Sequence, residues 1–275
     1  MTKTDQPIAD VNSSYCKSKE KSIFFIGAGN VATHLSQALL HAGYEIKGVY
    51  SRTVSSAQTL ADTLGCFWTT NILELVEADI YILSVKDSVL EELLFKVIQQ
   101  SPQAIFVHTA GSIPISVFQG KVNKYGIFYP MQTFSKKCAV LFDNIPIFVE
   151  SSDNEVAQTL FSIAQSISRH VEFLDSDCRL RLHLASVLAC NFANHCYTLA
   201  AQEMDKAGLP FKYLLPLIDE TAKKVHKLSP REAQTGPAVR YDQNVLNKHL
   251  SLISETIKRD IYSLMSLSIH QNTHD

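Results

Sequence analysis

"FFIGAGNVATHLSQALLHAG", residues 24–43, decides how the chain is read. A run of strand formers ends at Gly27, Gly29 follows two residues later, and from Val31 to about Ala42 the apolar positions recur at helical spacing. Gly27-Ala28-Gly29-Asn30-Val31-Ala32 fits G-x-G-x-x-G/A with alanine last. In such a turn the first glycine makes the bend and the second lets the backbone approach a pyrophosphate. A small third residue lets the helix pack closely on the strand. The helix start then offers free N–H groups and the positive end of its dipole to the anion. Alone the pattern is weak. Here a strand precedes it, a helix follows, and a second strand, "YEIKGVYSR", closes the unit, as the motif requires. The plainer alternative is a glycine turn with no ligand. On the binding reading, Gly27, Ala28, Gly29, Asn30 and Val31 contact the cofactor.

The second strand ends in "GVYSRT". An NAD site calls for Asp or Glu roughly 20 residues past the glycines, to hold the ribose 2′-hydroxyl. Ser51, Arg52 and Thr53 stand there instead. A guanidinium and two hydroxyls suit a 2′-phosphate, so NADP is expected ahead of NAD. Arg52 as a merely solvated loop residue is the competing reading.

Outward from this unit, "ADIYILSV", "QAIFVHTAGS", "YGIFYP", "NIPIFVES" and "HVEFLDS" read as further strands, with helices over "SSAQTLADTLG", "SVLEELLFKVIQQ" and "NEVAQTLFSIAQSIS". Alternation of this kind, with nearly continuous apolar strands, predicts a doubly covered, mainly parallel sheet. Ser84 and Val85 end one strand at the carboxyl edge of that sheet, where open α/β folds bind ligands, and are expected to contact the cofactor. Asp87 and Ser88 read as helix caps. His108, Thr109, Gly111 and Ser112 end the next strand and are expected to line the crevice near the nicotinamide, Ser112 on the substrate side. A chemical and a structural role for His108 both stand.

After Asp175 strand patterns stop, and helices are predicted over about 176–206, 211–227 and 244–268, with Gly208 closing the first and Pro210 opening the second. The expected organisation is a flexible extension over 1–20, a Rossmann NADP-binding domain over 21–175 and an all-helical substrate and dimerisation domain over 176–275. The chain has 275 residues, 46% of them hydrophobic, with a net charge of −2. That charge makes no case for nucleic acid or an anionic membrane surface, and no apolar run approaches the roughly 20 residues of a membrane span. The polar first twenty residues lack the apolar core of a signal peptide. Cys16, Cys66, Cys138, Cys178, Cys190 and Cys196 form no zinc-like set, so no metal and a reducing, cytoplasmic compartment are expected.

With these segments placed, the chain resembles the 6-phosphogluconate-dehydrogenase-like and pyrroline-5-carboxylate-reductase-like reductases. More closely it resembles a branch in which a Rossmann-like NADP oxidoreductase domain precedes a DUF2520 domain. "FFIGAGNVATHL", "VYSRT", "LSVKD", "VHTAGS", "YPMQTFS", "HLASVLACNFANHCY" and "LSPREAQTGPAVRYD" carry the likeness. It implies an α/β Rossmann domain followed by a 6-phosphogluconate-dehydrogenase-type helical domain, with NADP as cofactor; NAD and F420 rank behind it. Two departures matter. Hydroxyacid dehydrogenases of this superfamily place a catalytic lysine four residues before an asparagine on the long helix, whereas here Val187 precedes Asn191. The His-Pro of prephenate-dehydrogenase-like members is Tyr129-Pro130.

On the long helix, at 3.6 residues per turn, Arg179, His183, Asn191 and Asn194 fall within one arc of about 120°. Such a stripe on an apolar helix needs partners, water or a ligand. In the implied fold it looks toward the nicotinamide. The alternative is a polar seam satisfied by neighbouring helices, the preferred reading for Asn194. His183, Asn191 and His108 are the candidate catalytic residues, a histidine being able to deliver a proton near neutral pH. In the loop at 229–240, Gln234, Thr235 and Arg240 are candidate substrate contacts, Arg240 as a bidentate partner for a carboxylate. "KSKEK" and "TAKKVHK" read as solvated faces. The expected function is hydride transfer between NADPH and a small carbonyl or imine compound, carboxylated ones included, by a homodimer whose helices are too apolar for a lone monomer. The alternative is an NADP-binding sensor or scaffold without turnover, which the absent lysine keeps in play.

Overall fold

The residues ahead of the glycine turn form strand β1 (Ile23–Ile26), and all four of its side chains are buried. The computed structural model describes residues 21–274, so the extension expected over 1–20, and with it Cys16, lies outside the described residues. From β1 the chain runs through α1 (Asn30–His41), β2 (Ile46–Tyr50), α2 (Val54–Leu64), β3 (Phe67–Thr69), β4 (Ile80–Leu83), α3 (Asp87–Ile98) and β5 (Ile105–His108). It continues through β6 (Tyr125–Pro130), β7 (Ile147–Ser151), α4 (Asn154–Gln165) and β8 (Val171–Phe173).

These strands form one sheet in the order β3-β2-β1-β4-β5-β6-β7-β8. All neighbouring pairs are parallel except β6 with β7. Alternate side chains of β1 serve opposite faces. Ile23 and Phe25 join a core with Leu35 and Leu39 of α1, whereas Phe24 and Ile26 join another with Leu94 and Val97 of α3. Burial on both faces explains the unbroken apolar runs. Strand order reverses between β1 and β4, and the carboxyl ends there border the crevice in which such sheets bind ligands. The Rossmann reading holds.

The helical part comprises α5 (Ser176–Ser186), a π-helical stretch (Val187–Phe192), α6 (Ala193–Lys206), α7 (Leu215–Lys224) after a 3-10 turn at Phe211–Leu214, α8 (Gln243–Leu252) and α9 (Thr256–His274). By compactness the chain parts between Ala189 and Cys190, which places α5 with the sheet. Gly208 takes the left-handed conformation (φ +66°) just past α6, as the sequence suggests.

Three features depart from expectation. Strand β3 is only three residues long and pairs with β2 alone, too short for a periodic signal. The helix expected over 244–268 is two helices. Asp242 caps α8, Ile253 turns extended, and the Arg259 guanidinium takes the carbonyls of Leu250 and Ile253, the latter at 3.2 Å. These are the orphan acceptors of a helix end. The π stretch is the third: its i→i+5 bonding invalidates an angular count at 3.6 residues per turn carried from His183 to Asn191.

Within the second unit, α9 is pinned to α6 by the buried Lys258, which bonds the Leu199 carbonyl at 3.0 Å and the Glu203 carboxylate. His249 Nδ1 meets the Tyr262 hydroxyl at 2.7 Å.

Candidate functional site

Gly27 sits at φ +113°, and a Cβ there would run into the Ser84 carbonyl and the Val85 side chain. Only glycine lets the turn lie against the end of β4. The turn is fixed on both sides: Gly27 N–H donates to Tyr50 O at 2.7 Å, and Ser84 N–H donates to Ile26 O at 2.8 Å. Gly29 is the N-cap of α1, exposed, with extended backbone and no side-chain cap on the helix. The first-turn N–H groups are therefore left for an anion. The Asn30 side chain is committed elsewhere, donating from Nδ2 to Phe134 O at 2.9 Å, so its free contribution is backbone. The buried Ala28 accepts from Lys136 Nζ at 2.7 Å.

A cavity of about 340 Å³ opens beside the turn. It gathers Gly27, Ala28, Gly29, Ser51, Arg52, Thr53, Ser84 and Val85 from the expected set, and adds Tyr50, Ser56 and Lys86. Its charged lining residues are Arg52 and Lys86, with no carboxylate among them. Thr53 is the N-cap of α2, and no side chain caps that helix either. The Arg52 guanidinium, hydroxyls and a second open helix start therefore stand at the β2 end, and this set fits a ribose carrying a 2′-phosphate. Asn30 and Val31 lie on α1 beyond the lining. Lys86, not Asp87 or Ser88, occupies the cap of α3; Asp87 instead accepts the Ser112 hydroxyl.

At the ends of β5 and β6 a second group assembles. Arg179 on α5 is fully buried, paired with Glu150 at 2.5 Å and donating to Ile113 O at 2.6 Å. Ser176 Oγ donates to Glu150 at 2.8 Å and accepts from Ile115 N–H at 2.9 Å. These bonds bolt α5 to the segment after β5. One turn further on, His183 lies against Gly111, where an added Cβ would fall 2.5 Å from Nδ1. Tyr129 OH, at the end of β6, meets His183 Nδ1 at 3.0 Å, the rings edge to face at 6.0 Å. Burial pushes the Tyr129 phenol up from its usual pKa, with the Arg179 charge opposing. Tyr129 therefore stays protonated at neutral pH and can donate to the imidazole.

His108 does not line the crevice. It is completely buried, stacked on Phe118 at 5.5 Å, and its Nδ1 accepts from Ala110 N–H at 3.1 Å. Burial, and then the Arg179 charge, lower its pKa to about 3, so it is neutral at physiological pH. Thr109 is also buried and donates to Ser84 Oγ at 3.1 Å. Ser112 is half-buried on Asp87. In the second unit Asn191, Gln234, Thr235 and Arg240 are exposed, and Gln234 Nε2 donates to Thr235 O at 3.1 Å. Among the described residues no cluster of His, Cys, Asp or Glu has the makings of a metal site.

Sequence reasoning passed over Tyr129, Ser56 and Lys86 as site residues, and Lys136 as a residue that bonds the glycine turn. For Tyr129 a signal existed, in the Tyr129-Pro130 pair that departs from the His-Pro of the resembled prephenate-dehydrogenase-like members. For Lys136 none did: its partner is 108 residues away.

Residues 22–111 match the family described as NADP oxidoreductase, coenzyme F420-dependent, and residues 145–269 match a domain of unknown function, DUF2520. No curated protein matches the chain. Among solved structures it is similar to a candidate NADP oxidoreductase from Bacteroides fragilis. The two are 49% identical over 91% of this chain and 98% of that one, with a TM-score of 0.89. A protein from Thermotoga maritima is 20% identical over 92% of this chain and 100% of its own, with a TM-score of 0.75. An imine reductase from Myxococcus stipitatus in complex with NADP+ is 17% identical over 91% and 92%, with a TM-score of 0.62. The last two share the fold.

Proposed function

The chain belongs to the NADP oxidoreductase family that carries a C-terminal DUF2520 domain, and on that premise we propose that it reduces a small carbonyl or imine compound, carboxylated ones included. The observation that carries this reading is the Tyr129–His183 pair, 3.0 Å apart, at the carboxyl edge of the sheet whose Gly27 turn seats a dinucleotide. Bound NADPH supplies the hydride. Val187 stands where related hydroxyacid dehydrogenases have lysine, so the proton has to come from another group. His183 provides it to the substrate oxygen or nitrogen, and a histidine is suited to that task near neutral pH. As the imidazolium, His183 donates Nδ1–H to the Tyr129 oxygen and gives up its Nε2 proton, which leaves a neutral imidazole still bonded to Tyr129 through Nδ1. Ser112, next to the Gly111 that packs on His183, is the proposed substrate contact of the sheet unit. Arg52, Ser51 and Thr53 select the 2′-phosphate.

The working unit is proposed to be a homodimer in a reducing compartment. Ile257, Leu252 and Leu264 of the helical unit are 75%, 72% and 66% exposed, which supports a covering partner of the same kind. Cys66, Cys138, Cys178, Cys190 and Cys196 are free thiols, which supports the compartment. The test is a panel of cyclic imines, imino acids and 2-keto acids, with NADPH consumption followed by absorbance. Turnover of one class by the wild type, reduced about tenfold in Tyr129→Phe with NADPH affinity kept, is the expected result. NADPH binding without turnover of any class favours a sensor or scaffold.

A further inference from the structure

We infer that Lys136 is a pyrophosphate-binding residue, carried to the glycine turn by the loop between β6 and β7. The inference rests on the NADP reading of that turn. Three contacts tie the loop to the start of α1. Asn30 Nδ2 donates to Phe134 O at 2.9 Å, His34 Nε2 bonds Ser135 O at 2.9 Å, and Lys136 Nζ donates to Ala28 O at 2.7 Å. The His34 ring also stacks on Phe134 at 5.4 Å, and Phe134 on Phe142 at 5.7 Å, so the loop is anchored by packing as well.

Of the three, Lys136 stands out chemically. The Asn30 bond and the His34 contacts fasten loop to helix; neither needs a full positive charge. Lys136 places an ammonium on the carbonyl of the residue between the two glycines, one peptide before the uncapped start of α1. A single neutral carbonyl uses one of its three donors. Lys136 itself remains exposed, and among the described residues no acidic group pairs with it. A doubly charged pyrophosphate on the adjacent N–H groups gives that cation the partner it lacks. The predicted division of labour is sharp: Arg52 recognises the phosphate that NADPH alone carries, and Lys136 the diphosphate common to NADPH and NADH.

The experiment titrates NADPH and NADH by fluorescence into the full chain and its Lys136→Gln, Lys136→Arg and His34→Ala variants, at low and high salt. Lys136→Gln is expected to weaken both cofactors alike, by about tenfold at low salt, the size of one charge-assisted hydrogen bond. The deficit should shrink as salt screens the charge. Lys136→Arg should stay within about threefold of wild type, because the charge is kept. His34→Ala loosens the loop without removing the cation and should cost less than Lys136→Gln.

Equal losses in His34→Ala and Lys136→Gln would overturn the inference in favour of a loop fastening. So would unchanged affinities, or a loss confined to NADPH. A wild type that binds neither cofactor overturns the underlying NADP reading and this inference with it. A wild type that binds NADPH while Lys136→Gln binds it equally well overturns the inference alone.

Discussion

The two units treat their apolar residues in opposite ways. In the sheet unit every side chain of β1, β4 and β5 is buried, and two cores lie on opposite faces. In the helical unit Ala238, Leu246 and Ile253 are the buried apolar residues, while Leu217, Leu252, Ile257, Leu264 and Met265 stand exposed. The first unit completes its own core. The second has too little interior for its apolar content, and its buried Lys258 is satisfied from α6. A fold that stands alone can carry a rigid nucleotide seat. A unit that leaves this much apolar surface open is where the proposed homodimer would join.

The comparison breaks first at that surface, where the largest effect is expected. Light scattering at micromolar concentration should give twice the 30.7 kDa chain mass. Leu264→Asp combined with Ile257→Asp should yield a monomer, and helical content should melt early, since an interface of this kind is part of the folding free energy. A wild type that runs as a well-folded monomer ends the argument.

Next comes His183. Replacing it with Asn should lower turnover by about 10²–10⁴-fold, the usual contribution of a general acid. NADPH affinity should stay within about twofold, because the glycine turn is held separately. Gly111→Ala should reproduce part of the loss, since the new methyl drives into the imidazole. Turnover undiminished in both variants would place the chemistry elsewhere. The third effect is cofactor choice: Arg52→Asp should cost NADPH about 10–100-fold relative to NADH, the worth of a charge-assisted phosphate contact with its sign reversed. An unchanged preference in paired titrations removes the 2′-phosphate argument.

The same contrast governs what was legible in the chain. The strands, the glycine turn and "VYSRT" could be read because their signals are local: apolar runs, a bend that admits only glycine, a missing carboxylate. The Tyr129–His183 pair joins residues 54 apart. Each is unremarkable alone, and only the Arg179–Glu150 bolt brings them to one place. The break between α8 and α9 carries no Gly or Pro, because it is stabilised by Arg259, nine residues past the carbonyl of Leu250. The polar stripe of the long helix counted angles through residues that adopt π geometry, which no side chain in "VLACNF" announces. His108 shows the limit from the other side. A strand-end histidine reads as crevice-lining, yet side chains alternate along a strand, and this one points into the Phe118 core.

That burial sets a further expected effect, read in stability and not in turnover, and it is a matter of proton linkage. The His108 pKa falls to about 3 in the fold because burial, and then the Arg179 charge, oppose protonation. In the unfolded chain it returns to about 6.5. Between those values the unfolded state binds one proton more than the folded state, so stability rises with pH across the window. The contribution is complete above about pH 6.5 and is lost progressively as pH falls toward 3. Urea unfolding at fixed protein concentration, repeated from about pH 7 to pH 4, should show a steeper acid loss in the wild type than in His108→Gln. The difference should be about 1 kcal/mol per pH unit. Glutamine keeps an acceptor for Ala110 N–H and removes the titration, so it isolates the linkage from the packing. Parallel slopes would mean that His108 is not the sealed, neutral group its surroundings make it, and would return it to the list of possible proton donors.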